Sequence, residues 1–558
     1  IALLISWVMA MTVIPMLTPF IRVKQKVKGD DGELFDSAFQ KKYKALLLAC
    51  VRKPLVFVAF IIGVFFLSVY GLKFVPQMFI PPSEDPHLTV ALTLPTGSDI
   101  TFTEASVKGL ETYLAQTMMV SENDEKAIGV KSWVAYIGSG GPRFMLAFSP
   151  VNANESEAML LVNVNNTASL DPVKEAIEDY FFENQPDMFV KVQRLANGPP
   201  VEYPIVIKVS GPEFEQLNVI VNDIKAKFAA HQNVTAVKDQ WGPKLKKIVV
   251  DIDQARAFRS GITSNDIATS LNASLSGLQM TKFRENDEQI PIIMWTNSDD
   301  RNDLTQLENL SVFSQTSGNL VPLSQVADIR VEWDHARIER LNRVRTNEVQ
   351  VMIKDGVTAT EVASQIRPWL AQYAATWDAG YSYVEGGENE ESSKAGASIG
   401  AALPFAIVAI VGLLVLQFNS LRRTFIVLIT IPLGLIGITA GLLIMRSIFG
   451  FFTLLGLISL AGIVINNAIV LLDRVKLEID GNGRRASEAV ILAAQQRARP
   501  ILLTTATTCG GMLPLMLSGG PMFEPMAVAI LFGLLFATFL TLLLVPVLYT
   551  LFFRVKFD

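Results

Sequence analysis

Residues 424–445 read TFIVLITIPLGLIGITAGLLIM, twenty-two positions without one Asp, Glu, Lys or Arg. About 20 mostly apolar residues are what a helix needs to cross a hydrocarbon core about 30 Å thick, so Thr424–Met445 reads as a membrane span. Working outward, Ala397–Leu416 before it and Phe451–Leu472 after it have the same character, as do Pro54–Leu72 and Ile1–Ile21. The last apolar block, Pro500–Phe553, is too long for one span and breaks at Ser518-Gly519-Gly520-Pro521, a turn signal. It divides into Pro500–Leu517 and Pro525–Phe553, which makes seven apolar segments. Residue 1 is an Ile already inside an apolar run, so the expectation is that the first segment is the end of a span begun upstream.

Charge orders these segments. The connection 22–53 carries Arg22, Lys24, Lys26, Lys28, Lys41, Lys42, Lys44, Arg52 and Lys53, and further basic residues follow at Arg422-Arg423, from Arg474 to Arg499, and at Arg554 and Lys556. The alternate connections are nearly free of Lys and Arg. Assigning the basic side to the cytoplasm gives a consistent zigzag and puts the charge-rich stretch Pro76–Glu391 on the outer side. The mean hydropathy of +0.36 fits this division. A net charge of −5 argues against nucleic acid as a partner. The only cysteines, Cys50 and Cys509, lie beside or in apolar segments, so the outer stretch has no disulfide framework or thiolate metal site.

Within the outer stretch, strand, glycine turn and helix recur. His87–Leu94 runs into Pro95-Thr96-Gly97 and a helix over Thr101–Gln116. Pro204–Val209 runs into Ser210-Gly211-Pro212 and a helix over Glu213–Phe228. Glu348–Ile353 runs into Lys354-Asp355-Gly356 and a helix over Thr360–Tyr373. This is the grammar of small split α/β subdomains, repeated. The expected fold is therefore an α+β membrane protein, an α-helical transmembrane bundle with a large outer domain of repeated βαβ subdomains. His87, His231 and His335 show no metal-ligand spacing, and no nucleophile–base constellation or Walker loop appears, so neither catalytic nor metal-binding residues are nominated. Trp133, Tyr136, Phe144 and Phe148 flank Gly138-Ser139-Gly140-Gly141-Pro142 and have two readings, the lining of an apolar substrate cleft or ordinary subdomain core.

Several segments resemble the C-terminal half of a resistance-nodulation-division (RND) efflux pump. They are Phe79-Ile80-Pro81-Pro82-Ser83-Glu84-Asp85 after a span, Leu416-Gln417-Phe418-Asn419-Ser420, Ile431-Pro432-Leu433-Gly434, Gly462 to Asp473 (GIVINNAIVLLD) and Arg497 to Thr505 (RARPILLTT). The resemblance covers nearly the whole chain. It implies that 1–21 ends the sixth span of a two-half pump, that 22–53 is a cytoplasmic connection, and that 54–75 and five helices in 397–553 are spans seven to twelve. It further implies a periplasmic porter subdomain at 86–190, a second one split between 191–241 and 333–385, and a docking subdomain inserted at 242–332.

By the same resemblance the protein would be a bacterial inner-membrane homotrimer of the multidrug exporter type. Working with its N-terminal half, a periplasmic adaptor and an outer-membrane channel, it would take small amphiphilic or drug-like compounds from the membrane lipids or periplasm. Proton influx, and no cofactor, would drive it.

None of the seven apolar cores contains an ionisable Asp, Glu, Lys or Arg, whereas a proton-driven carrier needs a titratable group in the membrane. In the resembling family the acidic pair sits in the fourth span, outside this chain. The candidate relay positions here are Asn466, Asn467, Thr504 and Arg497, with Asn466 standing where drug-pump relatives often have lysine. Interhelical hydrogen bonding is the alternative for the asparagines, and bonding to their own helix is the alternative for the threonines. Other functional readings are an RND exporter of metal ion or lipid and a non-transporting membrane accessory protein.

Overall fold

A computed structural model describes residues 2–17, 38–121, 124–199, 201–294, 310–315 and 317–557. The chain forms two units. A helical unit comprises Ile1–Glu84, Ala196–Pro199 and Asn389–Asp558; a sheet unit comprises Asp85–Leu195 and Pro200–Glu388. Of the sequence expectations, residues 18–21 of the first segment, 22–37 of the cytoplasmic connection, and 295–309 and 316 of the inserted subdomain lie outside the described residues.

The helical unit opens with α1 (Ala2–Leu17), α2 (Ala38–Arg52) and α3 (Pro54–Gly71). The sequence reading left 22–53 as a plain connection. Yet Tyr43, Leu47 and Val51 recur every fourth residue and are buried along one side of α2, as an amphipathic helix requires.

The sheet unit begins with β1 (His87–Thr93), α4 (Ile100–Tyr113), β2 (Val130–Ile137), β3 (Glu157–Val164), α5 (Leu170–Asn184) and β4 (Phe189–Arg194). Asp99 caps α4 by accepting from the Thr101 N–H at 2.8 Å. The strands pair antiparallel in the order β2-β3-β1-β4, a split β-α-β-β-α-β motif. Leu88, Val90, Leu92, Leu160, Val162 and Val192 point toward the helices and form the buried core with Val107, Leu110, Val173 and Ile177. Because β4 pairs with β1 as far as Arg194↔Leu88, the expected boundary between 190 and 191 cuts a strand that belongs whole to this sheet.

The motif is then repeated by β5 (Ile205–Ser210), α6 (Phe214–Ala229), β6 (Val234–Asp239), β14 (Val344–Ile353), α10 (Ala359–Ala374) and β15 (Ser382–Gly387), with strand order β6-β14-β5-β15. A long insertion interrupts the repeat between its second and third strands. It contains β7 (Lys244–Ile252), α7 (Gln254–Arg259), α8 (Ser264–Leu275), the exposed hairpin β8 (Leu278–Glu285) and β9 (Glu288–Met294), and the pair β10 (Ser311–Phe313) and β11 (Leu320–Pro322). It closes with α9 (Leu323–Val326) and β12 (Ala327–His335), and β13 (Arg340–Leu341) leads into β14. Since β12 pairs with β7 through His335↔Lys244, Trp333, Asp334 and His335 belong with the insertion, three residues beyond the expected boundary at 332/333.

The remaining helices are α11 (Glu388–Phe418), α12 (Leu421–Met445), α13 (Phe451–Lys476), α14 (Ala486–Ser518) and α15 (Gly520–Phe553). With α3 extended to Phe74 they are, among the described residues, the six helices long and apolar enough to cross a membrane; Trp7–Leu17 is a shorter apolar helix. The break at Ser518–Gly520 falls where the turn signal puts it, but Pro500 and Pro525 do not start helices. Both lie inside them, as do Pro404, Pro432, Pro514 and Pro546, because neighbouring helices can re-satisfy backbone groups that an interior proline frees in an apolar setting. α12 and α15 are the most enclosed, and a Cβ at Gly437 or Gly441 would strike Phe532 on α15.

The two ends of this unit have separate cores. One joins α2, the start of α12, the end of α13, the first half of α14 and the end of α15. The other gathers Val75, Leu442, Leu460 and Val528, where Gln77 bridges Phe449 and Ser447 Oγ donates to Glu524 Oε1 at 2.6 Å.

Candidate functional site: an open sheet face and a polar helix stripe

Alternation along β1–β4 leaves one face of the first sheet away from its helices. Register aligns Tyr136, Met159, Ala91 and Lys191 in one row, Val134, Leu161, Thr89 and Gln193 in the next, and Glu157, Thr93 and Phe189 at the end. The middle of this face is apolar. The loop after β2 turns at Gly138 and Gly141, both with positive φ, a conformation natural to glycine. Gly141 comes so near that a Cβ there would sit 3.0 Å from both the Tyr136 ring and Met159 Cε. Farther along the loop, Phe144 and Phe148 stack with ring centres 4.7 Å apart.

Of the four aromatics nominated from sequence, the structure thus pairs Phe144 with Phe148 and sets Tyr136 beside the same loop. Trp133, an odd number of residues from Tyr136, faces the other way, packs against the helix-side core and donates its indole N–H to Glu111 Oε1 at 3.0 Å.

The open face ends in a charged and aromatic cluster that sequence reasoning missed. Lys191, with 11% of its side chain exposed, lies 3.7 Å from Glu202 Oε1 and 4.7 Å from the centre of the Tyr203 ring. From the second sheet, Lys238 on β6 stands 4.1 Å over Phe189 and 5.2 Å over Tyr203. Glu157 accepts from Thr93 Oγ1 at 3.0 Å. Burial pushes both lysine ammoniums below their ordinary pKa and the Glu157 carboxyl above its own, the direction expected when charges leave water. The sequence signal was Phe189 and Lys191 two apart on one strand; the partners Tyr203 and Lys238 became visible only through the pairing of distant segments.

The relay candidates are dispersed. Asn467 is buried, while Asn466, one residue away, is exposed. Thr504 is exposed and donates to the Ile501 carbonyl at 2.9 Å, and Thr507 donates to that of Thr504, the local bonding weighed as their alternative. Thr505 meets Thr538 of α15 at 2.7 Å. Arg497 is half-buried, with its Nε enclosed and unbonded among the described residues. Gly462 and Asn466 on α13, and Thr504, Thr507 and Gly511 on α14, occur at helical spacing on exposed faces, and a Cβ on either glycine would meet nothing within 4 Å. Small and polar stripes on apolar helices are packing surfaces for other helices.

Residues 1–553 match the AcrB/AcrD/AcrF family. Among curated proteins, an uncharacterized transporter of Haemophilus influenzae is 26% identical over 367 residues, 63% of this chain and 34% of that protein. The swarming motility protein SwrC of Bacillus subtilis is 26% identical over 346 residues, 61% of this chain and 32% of its own length. Two crystal forms of a heavy metal efflux pump share the fold, with TM-scores of 0.71 and 0.72 at 22% and 20% identity, covering 92% of this chain. The matched regions are thus about one third of the curated relatives and about half of the solved pumps, at 51% and 52%.

Proposed function

The chain belongs to the AcrB/AcrD/AcrF family, that is, to the RND transporters, and on that premise we propose that it is the C-terminal half of a proton-driven exporter of amphiphilic compounds. The observation that carries this reading is the family match over 1–553, on a chain that combines six apolar helices with a twice-repeated β-α-β-β-α-β unit. Tyr136, Leu161 and the Phe144–Phe148 loop form the cargo surface, over the buried Met159. Its apolar centre and its Lys191–Glu202 edge suit molecules with one greasy and one polar end. Among the described residues no group of three or more His, Cys, Asp or Glu is placed to hold a metal ion.

Energy enters through a first half of like architecture. Its helices pack on the Gly462–Asn466 and Thr504–Thr507–Gly511 stripe, bringing membrane acids to Asn466, Thr504 and Arg497. With Asn466 neutral, Arg497 on the same helix as the Thr504 stripe, its Nε enclosed and unbonded among the described residues, carries the counter-charge. The assembly is an inner-membrane trimer with the sheet unit in the periplasm, joined to an adaptor and an outer-membrane channel.

Accumulation of a fluorescent cationic amphiphile, measured in efflux-deficient cells expressing the complete gene product, tests the reading. Expected is reduced accumulation that a protonophore restores. Protection against copper, silver or zinc with unchanged amphiphile accumulation would overturn the cargo assignment in favour of metal.

A further inference from the structure

One end of the helical unit holds more positive charge than the protein neutralises. No acidic residue occurs between Ala38 and Lys53, while Lys41, Lys42, Lys44, Arg52 and Lys53 do. α2 is fixed to the bundle through Tyr43, whose hydroxyl donates to the Leu542 carbonyl at 2.8 Å, and through Gln40, whose amide donates to the Gln495 carbonyl at 3.3 Å. That leaves Lys42, Lys44 and Arg52 exposed. At the foot of α12, the Arg422 and Arg423 guanidiniums each stand 5.9 Å from the centre of the Phe553 ring at the end of α15.

Acidic groups on the neighbouring α13–α14 link do not answer these charges. Glu478, buried, is engaged by Arg474, Asn482 and Arg484. Asp480 forms no ion pair with Arg422 or Arg423 among the described residues, and the Arg423 side chain is hydrogen-bonded to Tyr549 through a group other than its Nε. Among the described residues Lys42, Lys44, Arg52, Lys53, Arg422 and Arg423 make no ion pair.

A second observation points to a ligand. Arg423 Nε is buried and has no acceptor among the described residues, whereas buried donors are ordinarily bonded. Beside it Leu421 and Phe425 are exposed apolar side chains, and Phe425 packs edge-on against Phe552 at 5.7 Å. Two forked cations backed by an aromatic ring and flanked by an apolar strip match a phosphate diester with an acyl chain attached. A guanidinium fork binds phosphate oxygens two at a time, and basic residues at a helix foot draw anionic headgroups.

We propose that the foot of α12 and α15 is a docking surface for an anionic phospholipid. Its phosphate rests on Arg422 and Arg423, its chain lies along Leu421 and Phe425, and α2 supplies the surrounding positive field. This does not depend on the cargo or on the coupling scheme.

The test is association of spin-labelled phosphatidylglycerol and phosphatidylcholine with the intact chain in mixed-lipid vesicles. The expected result is a preference for phosphatidylglycerol that falls about fivefold for each charge removed in Arg422→Gln and Arg423→Gln. Lys42→Gln and Lys44→Gln lower it less, and Arg446→Gln at the opposite end leaves it unchanged. An excess of inorganic phosphate leaves the lipid bound. Equal association of both lipids, an equal drop in Arg446→Gln, or displacement by inorganic phosphate would each overturn the proposal. The far-ultraviolet spectrum of every variant checks folding. If both arginine variants unfold, the unchanged-fold Lys42→Gln, Lys44→Gln double variant decides by whether the preference falls.

Discussion

The two sheets of the sheet unit follow the same path through space and differ in what they leave uncovered. On the helix side both are alike: Leu160 and Val162 in the first and Val349 and Val351 in the second are fully buried under two helices. Their open faces diverge. The first presents Tyr136, Leu161 and Val134, with Met159 buried against the Gly141 turn. The second presents Lys208, Glu348 and Lys238 beside the exposed Val384, over a buried Gln350, with Ser210 joined to the buried Thr346 at 2.8 Å. The alternation that fixes topology therefore constrains only half of each strand, and the other half is free to differ in function.

The largest effect that could break this comparison is on the helix side. Leu160→Ala should cost about 2–5 kcal/mol, the range for a fully buried leucine. Its half-buried neighbour Leu161→Ala should cost roughly 1 kcal/mol while reducing export more. Amide exchange of β1 and β3 in the intact protein, beside an efflux assay, would show both; equal destabilisation would mean that the open face is core.

Next comes the charged edge. The carboxyl of Glu157 is raised by burial, so the folded state binds its proton more readily than the unfolded state. The stabilisation is present below the ordinary carboxylate value near 4.3 and is lost as pH rises through the raised value. Lys191 runs the other way. Its lowered pKa gives stability present near and above the ordinary lysine value and lost as pH falls through the lowered one. Exchange at β4 should therefore accelerate as pH rises above about 4.3, after correction for intrinsic exchange rates. Glu157→Gln should flatten that slope; a slope unchanged in the variant would remove Glu157 from the account.

Smaller effects sharpen what the insertion adds to the second sheet. The Thr263 hydroxyl caps α8 in a reciprocal box with Asp266, and Thr263→Ala should cost about 1 kcal/mol, confined to 242–335. Spread of the loss into β5 or β14 would show that insertion and sheet fold as one. Smallest of all, Lys174 reaches Asp355 of the second subdomain at 2.6 Å, with Asp355 largely exposed. Asp355→Asn should change stability by less than about 1 kcal/mol, and a larger shift in thermal unfolding would make this ion pair a structural joint.

Much of this was legible in the sequence because it depends on local pattern. Runs such as Thr424–Met445 announce spans by composition alone, and the β1–α4, β5–α6 and β14–α10 pairs announce themselves by period and turn. Features that depend on pairing were not legible. The helix α2 hides in a basic connection because Lys41, Lys42, Lys44 and Arg52 interleave with its buried Tyr43, Leu47 and Val51. The subdomain edges at Arg194 and His335 are set by ladders with β1 and β7. Trp133 and Tyr136 look alike as aromatics near a glycine loop, yet strand alternation sends them to opposite faces. The cluster of Lys191, Tyr203 and Lys238 joins residues that no spacing rule connects.

The most direct test is photolabelling of the complete gene product with a photoreactive amphiphile that it exports, followed by mapping of the labelled peptides. The account requires label in 134–161, around Tyr136, Met159 and Leu161, that declines when unlabelled amphiphile competes, with little on the peptides of Lys208 and Glu348. Label spread equally over both open faces, or concentrated on the second, would contradict it.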